Sequence, residues 1–303
     1  MDYDSELTFE RDLIAFLTTK GWNSGVLKNC TEQDLLDNWA HILYQNNSGI
    51  DQLNGVPLTD SEMQQIVHQV NALHTPLALN GFINGKTVNI RRDNEADKLH
   101  YGQTVSLSIY DRSQIASGSS VYQIAEQPKF PTAHPLASDR RGDLMLLING
   151  MPVIHIELKR SHVAVSQAVN QIRKYYHEGI FSTGIFSLVQ VFVAMNPDET
   201  IYFANPGSYE AFSPQYQFHW ADFNNEPIND WKSIATHLLS IPMAHQMIGF
   251  YTVADKLAGN LKVMRSYQYY AASAIADRVA TCRWDETTCS AVTSGILPAQ
   301  VRP

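Results

Sequence analysis

Three residues stand in an order and spacing that could do phosphodiester chemistry. Asp143 opens one apolar run, and the next run closes on Glu157-Leu158-Lys159. Side chains alternate along a strand, so Glu157 and Lys159 share a face while Leu158 takes the other. Two carboxylates are hard oxygen ligands suited to Mg²⁺. Such an ion polarises a phosphate and activates water, and a lysine orients that water or stabilises the charge of the transition state. A hairpin edge carrying Asp, Glu and Lys is also ordinary solvated surface. Against that stands the apolar run Val153-Ile154-His155-Ile156 just before Glu157, which reads as a buried strand. Charge in such a place is costly unless it binds something. His155 shares the Glu157 face by alternation, where a packed or hydrogen-bonded histidine is the simpler reading.

These residues need two adjacent strands and a turn to bring them together. Residues 143–148 form one apolar strand and 152–158 the next, with Asn149-Gly150 between them as a strong hairpin signal. A helix follows over 161–178. At about 100° per residue, Val165, Ala168, Val169, Ile172 and Tyr176 gather on one side, and Gln167, Gln171, Lys174 and Tyr175 on the other. Gln171 and Tyr175 lie one turn apart and can address one ligand. A plain amphipathic helix would show the same faces. Strands are expected at 188–195 and 199–204, then an aromatic loop with Tyr216, Phe218, Trp220 and Phe223. Helices are expected at 6–20, 31–46 (with Thr31 as N-cap), 59–73 (opened by Thr59 or Ser61), 230–240 and 265–280. Between 79 and 130 the pattern reads as β and loop, with a hairpin at Asn84-Gly85 and strands at 105–110 and 121–124.

Composition narrows the function classes. With 44% hydrophobic and 17% charged residues in 303, the chain is globular, with room for one large domain or two ordinary ones. Its apolar runs are short and interrupted, and even an obvious one such as Leu144–Ile148 is far below the roughly 18–20 residues of a membrane span. The acidic start Met1-Asp2-Tyr3-Asp4 is unlike a secretory signal, so a cytoplasmic location is expected. Cys30, Cys282 and Cys289 make neither a disulfide framework nor a paired-cysteine zinc site. The histidines show no HExxH spacing and no Gly-x-Ser-x-Gly is present, which disfavours zinc and serine hydrolases. A net charge of −8 excludes a general basic coat for DNA but not a local one. Residues 139–178 hold six Lys or Arg against four Asp or Glu, a net +2 that leaves −10 on the remainder.

Residues Arg141-Gly142-Asp143 through Asn149-Gly150-Met151-Pro152 to Glu157-Leu158-Lys159, followed by Gln171-Ile172-Arg173-Lys174-Tyr175, resemble the nuclease core of the restriction subunit of Type I restriction–modification enzymes. That family carries an aspartate strand, an Asn-Gly-x-Pro turn, a Glu-Leu-Lys strand and a Gln-x-x-x-Tyr helix in this order. The resemblance reaches from the helix bearing Glu10 to about residue 286, loosely over 23–130. It implies an α/β fold of the restriction-endonuclease-like PD-(D/E)xK class, a central mixed sheet flanked by helices. It also implies Mg²⁺ held by Asp143 and Glu157, with Lys159 catalytic. Gln171 and Tyr175 would contact DNA or order the site, and Glu10 would support the metal site or merely begin a helix. Some relatives of the wider fold have proline just before the first acid; here Gly142 takes that place. Arg140 and Arg141 could contact phosphate or be plain surface. The implied activity is cleavage of double-stranded DNA, coupled in a full-length parent to ATP-driven translocation and exercised with methylation and specificity subunits. Rival readings are a catalytically silent remnant that docks on those partners, and a stand-alone repair nuclease of the same fold.

One geometric condition follows from the turn. A two-residue Asn149-Gly150 turn with an unbroken ladder pairs 143 with 156, which puts Asp143 and Glu157 on opposite faces. The nuclease reading requires a one-residue slip, through a three-residue loop or a bulge, and the slip is expected. Gly81–Thr87 imitates a phosphate-binding loop, but Asn80 stands where that motif needs glycine. The stretch from Leu261 through Arg265 and Gln268 resembles the beginning of the family's motor, and Arg283-Trp284-Asp285-Glu286 continues it. The expected organisation is a nuclease domain over 1–255 (core about 130–205), the start of a helicase domain over 256–286, and an aberrant, disordered tail over 287–303. Residues 291–303 can be back-translated so that a frame shifted by one nucleotide reads Gly-Gly-Tyr-Ile-Trp-His-Thr-Thr-Gly-Ser-Gly-Lys-Thr, close to the family's P-loop. A frameshift near 287–290, with truncation before the motor, is the expectation that follows.

Overall fold

The computed structural model describes residues 2–115, 118, 120–131, 140–257 and 259–281. In chain order the first elements are α1 (Glu6–Thr18), β1 (Leu27–Lys28), α2 (Glu32–Asn46), α3 (Asp60–Asn71), α4 (Pro76–Asn84), β2 (Thr87–Arg91) and β3 (Thr104–Ser108). The central ones are β4 (Tyr122–Glu126), β5 (Lys129–Phe130), β6 (Arg140–Arg141), β7 (Leu144–Ile148), β8 (Met151–Leu158), α5 (Ser166–His177), β9 (Val191–Asn196) and β10 (Glu199–Ala204). The last are α6 (Trp231–His237), α7 (Met243–Gly249), β11 (Thr252–Asp255), β12 (Asn260–Val263) and α8 (Ser266–Thr281).

A six-stranded mixed sheet in the order β1-β4-β7-β8-β9-β10 carries the core, with helices flanking it. β7 is antiparallel to both β4 and β8, while β8 and β9 run parallel with α5 as their crossover. Every residue of β7, β8 and β9 is buried, as unbroken apolar runs in central strands require. The helix starts are fixed locally. Thr31 and Thr59 each complete a capping box, with Asp34 and Glu62 three residues on. α3 is tied to the segment after β2 by the buried Arg92, whose guanidinium reaches Glu62 at 2.6 Å and Asp97 at 3.1 Å. Among the described residues no helix is long and apolar enough to cross a membrane.

The β7–β8 hairpin contains the slip. Asn149 (φ 51°) and Gly150 (φ 84°) form a two-residue turn, so Ile148 pairs with Met151 and Leu147 with Pro152. The next pair is Leu146 with Ile154, which leaves Val153 as an extra residue on β8. Beyond this bulge Met145 faces His155 and Leu144 faces Ile156, where the ladder ends; the same register carried one residue further sets Asp143 on the side of Glu157. The bulge, rather than a three-residue loop, supplies the slip. Proline is tolerated at its edge, where the ladder is already interrupted. The turn itself packs on α2: a Cβ at Gly150 would lie 2.8 Å from the Trp39 Cα.

Three expectations are corrected. Asn84-Gly85 is no hairpin; it ends α4, which Thr75 caps and Pro76 opens, and β2 pairs instead with β3 across a longer connection. Leu77, Leu79, Phe82 and Ile83 recur at helical spacing, and that period prevails over the turn dipeptide. The helix expected over 161–178 starts only at Ser166, because Ser161 is held by Tyr3 and His162 has φ 64°. α7 and the β11–β12 hairpin were not anticipated. The readings placed on Cys282, Cys289, Arg283–Glu286 and the tail 287–303 lie outside the described residues.

Candidate active site

The bulged hairpin brings Asp143 and Glu157 to one end of β7 and β8. Asp143 is half-buried and its Oδ2 accepts a short hydrogen bond, 2.6 Å, from the Leu158 N–H. Glu157 is fully buried. Its Oε2 lies 3.1 Å from His155 Nε2, and its Oε1 has no hydrogen-bond partner among the described residues. Burial pushes the Glu157 carboxyl up to about 8. Burial, with the charge of Glu157 adding to it, also holds Asp143 well above the usual carboxylate range. His155 is fully buried among Phe130, Phe181 and Phe192, and burial depresses it to about 4. It is therefore a neutral packed histidine at neutral pH, as its place in the strand implied.

α1 adds two more carboxylates one turn apart. Glu10 is buried; Gln127 Nε2 donates to its Oε2 at 3.2 Å, and its Oε1 has no partner among the described residues. Burial raises the Glu10 carboxyl to about 7, opposed by the Gln127 hydrogen bond and reinforced by Asp143. Gln127 (φ 50°) also donates its backbone N–H to the Asp143 carbonyl at 2.8 Å, so one residue links helix and strand. Lys159 is nearly buried. Its ammonium donates to the Leu158 carbonyl at 2.8 Å and lies 3.4 Å from Glu6 Oε1. Glu6 and Gln127 were not singled out from sequence. The signal for Glu6 was its four-residue spacing from Glu10 on a helix whose apolar face includes Phe9 and Leu13.

Gln171 and Tyr175 are brought to the site but not as its polar outer face. Tyr175 is buried, a correction to its place on the polar side of the helix. Its hydroxyl donates to the Arg141 carbonyl at 2.7 Å and accepts from Gln171 Nε2 at 2.7 Å. Its ring packs on Phe130 and His155. This chain orders the backbone just before Asp143. Gly142 is required by the same packing, since a Cβ there would lie 2.6 Å from His155 Cε1 and 2.7 Å from Phe130 Cζ. Its N–H also donates to the Pro128 carbonyl at 3.2 Å, a bond that proline could not make. Arg140 is committed to Glu178 through Nε and Nη2, and Arg141 Nη1 donates to Asn29. Gly81–Asn84 of the false phosphate loop form the end of α4, and the Lys86 ammonium lies 3.5 Å from Asp111.

Among the described residues, no group of three or more His, Cys, Asp or Glu side chains is gathered so as to hold a metal. The donors that the sequence suggests are two carboxylates, Asp143 and Glu157, and Glu157 Oε1 is buried with no hydrogen-bond partner among the described residues. That set fits Mg²⁺, which keeps several waters and is bound through one or two carboxylates.

Comparison with known proteins gives the family. Residues 5–211 match the family described as Type I restriction enzyme R protein N terminus. The chain belongs to this family. The matched span holds the whole Asp143, Glu157, Lys159 and Tyr175 constellation. Relatives of this family include the Type I restriction enzyme SauMSSORF170P endonuclease subunit of Staphylococcus aureus strain MSSA476, 29% identical over 275 residues. The SsaAORF53P endonuclease subunit of Staphylococcus saprophyticus is 30% identical over 275 residues. In both, 91% of this chain is covered but only 27% of the relative, so the chain spans about a quarter of their length. The EcoprrI endonuclease subunit of Escherichia coli is 28% identical, with 90% of this chain and 82% of the relative covered.

Proposed function

We propose that this chain is a Mg²⁺-dependent nuclease of the PD-(D/E)xK class that cuts double-stranded DNA. Within a full-length restriction subunit it would serve an ATP-driven translocase and work with methylation and specificity subunits in the cytoplasm. On this reading residues 1–255 are the nuclease unit and 256–286 begin the motor. The observation that carries it is the bulge at Val153, which shifts the register to Leu144 opposite Ile156 and so supports Asp143 and Glu157 sharing a face that the turn alone would deny them.

The chemistry follows from what the side chains can hold. Asp143 and Glu157 would bind the ion through carboxyls that burial raises in pKa; Glu157 Oε1 has no hydrogen-bond partner among the described residues. When bound, Mg²⁺ supplies positive charge to the scissile phosphate and lowers the pKa of a coordinated water. Lys159 presents an ammonium at the end of the same strand, where it stabilises negative charge developing on phosphate. His155, itself packed on Phe130 and Phe181, lies 3.1 Å from Glu157 and keeps that carboxylate in a poorly hydrated setting, which strengthens its interactions. Tyr175 fixes the Arg141 carbonyl and so the approach to Asp143.

The test is divalent-cation binding and nicking of plasmid DNA by the purified chain, beside Asp143→Ala and Lys159→Ala. Asp143→Ala is expected to lose ion binding and cleavage. Lys159→Ala is expected to keep ion binding and lose cleavage by at least about 100-fold, the scale of removing one charge-stabilising group. Ion binding without cleavage in the unaltered chain would mean a formed site that needs its motor or partners to receive DNA. A folded chain that binds no ion would overturn the reading and leave a silent docking remnant.

A further inference from the structure

The position of the Lys159 ammonium is unusual for its setting. Glu157 precedes Lys159 by two residues on the same strand, Asp143 accepts from the intervening Leu158 N–H, and the lysine's charge acts on both carboxyls. Opposite charges in a poorly hydrated site attract strongly, and lysine has a long flexible stem. The ammonium nevertheless turns back to its own strand, to the Leu158 carbonyl, and outward to Glu6.

Glu6 is placed for this by two independent features. Tyr3 and Ser161 exchange hydrogen bonds, Tyr3 N–H to Ser161 Oγ at 2.8 Å and Ser161 N–H to the Tyr3 carbonyl at 3.1 Å. They fasten the residues before α1 to the residues after β8, which brings Glu6 to the neighbourhood of Lys159. The aromatic cluster of Tyr3, Phe9 and Phe16 around Trp231 then fixes the rotation of α1. Glu6 is also in the first helical turn, where the helix dipole favours a carboxylate.

We infer that Glu6 is a positioning residue for Lys159: it holds the ammonium away from Asp143 and Glu157, keeping their oxygens free for a divalent cation and the amine free for phosphate. This rests on the nuclease reading of the same site. Without Glu6 the ammonium swings onto the carboxylate pair and competes with the cation. Glu6 is partly exposed, with 43% of its side chain accessible. A phosphate reaching Lys159 can therefore displace it without unfolding anything.

The experiment compares the purified chain with Glu6→Gln, Glu6→Asp, Lys159→Met and the Glu6→Gln/Lys159→Met double variant. Three quantities are read: the metal-free crystal structure of Glu6→Gln, Mn²⁺ affinity by titration, and single-turnover cleavage. In the Glu6→Gln crystal, Lys159 Nζ is expected within hydrogen-bond distance of Asp143 or Glu157. Mn²⁺ affinity is expected to fall about tenfold and cleavage with it, with partial rescue by Glu6→Asp. In the Lys159→Met background, Glu6→Gln is expected to change Mn²⁺ affinity less than twofold, a readout that a merely structural role would not give. The inference is overturned if Nζ stays on the Leu158 carbonyl in Glu6→Gln. It is equally overturned if Glu6→Gln weakens Mn²⁺ binding to the same extent with and without Lys159. If Nζ moves as expected in a protein that neither takes up Mn²⁺ nor cuts DNA, the restraint on Lys159 is upheld and the nuclease reading it was to serve falls.

Discussion

Buried carboxylates make the site a source of instability in the metal-free chain, and the sign of the pH dependence follows. Glu157 is raised to about 8 and Glu10 to about 7, both from 4.5. Between 4.5 and those values the folded chain keeps protons that the unfolded chain has shed, so stability falls as pH rises. His155 acts in the opposite sense. It is lowered to about 4 from 6.5, so between those values the unfolded chain takes a proton that the folded chain refuses, and stability rises with pH. Above 6.5 the histidine contribution is complete and only the carboxylates remain. The metal-free chain is therefore expected to lose about 1–3 kcal/mol between pH 6.5 and 8. Glu157→Gln should remove most of that slope and raise the melting temperature at pH 8, in the manner of an active site whose residues cost stability. Urea unfolding at a series of pH values measures this. A flat profile for the unaltered chain would show that water reaches both carboxylates and that they do not form a buried pair.

At the level of elements, the site is one bulged hairpin locked between two helices, and α5 locks it through a single polar chain. Tyr175→Phe deletes the hydroxyl that donates to the Arg141 carbonyl and accepts from Gln171. The expected cost is about 1–2 kcal/mol in stability, because the carbonyl loses its donor. Cleavage should slow while affinity for duplex DNA, read by fluorescence anisotropy, stays within about twofold. A fall in affinity with an unchanged cleavage rate would instead make Tyr175 a DNA contact. The same elements show what the sequence discloses. Period-two alternation placed Glu157 and Lys159 on one face, and the apolar runs located β7, β8, β9 and β10 to within a few residues. Alternation also exposes the conflict between turn and register and calls for a slip through a three-residue loop or a bulge, of which the bulge at Val153 is the one present. Tertiary effects were less legible. Tyr175 looks polar-facing by helical angle, yet the Phe130 and His155 rings draw it inside. Asn84-Gly85 reads as a turn from its dipeptide alone, while Thr75 and Pro76, nine and eight residues before Asn84, commit the segment to a helix. Glu6 could not be connected to Lys159, because tertiary contacts far apart in sequence, Tyr3 with Ser161 and the aromatic residues of α1 with Trp231, bring α1 to the end of β8.

The whole chain carries a net charge of −8, and under the proposed function that bears on how it would meet DNA. Of the basic residues around the site, Arg140 is paired with Glu178 and the Lys159 ammonium with Glu6, while Arg160 and Lys174 are exposed. Few cations are thus available to replace counterions on a duplex. Each phosphate neutralised contributes about −0.9 to the slope of log affinity against log salt. With roughly two to four such contacts, affinity should fall only about 10- to 100-fold between 50 and 200 mM salt. Anisotropy titrations with a labelled duplex over that range give the slope directly. A slope several units steeper would mean a basic surface larger than these residues provide. A shallow slope with weak binding has a specific consequence for the proposed assembly. Grip on DNA and choice of sequence would then belong to the other subunits, and this chain would receive DNA at a site already shaped for it. Adding those subunits should steepen the salt dependence, while Asp143→Ala should leave the slope unchanged and abolish only the cut.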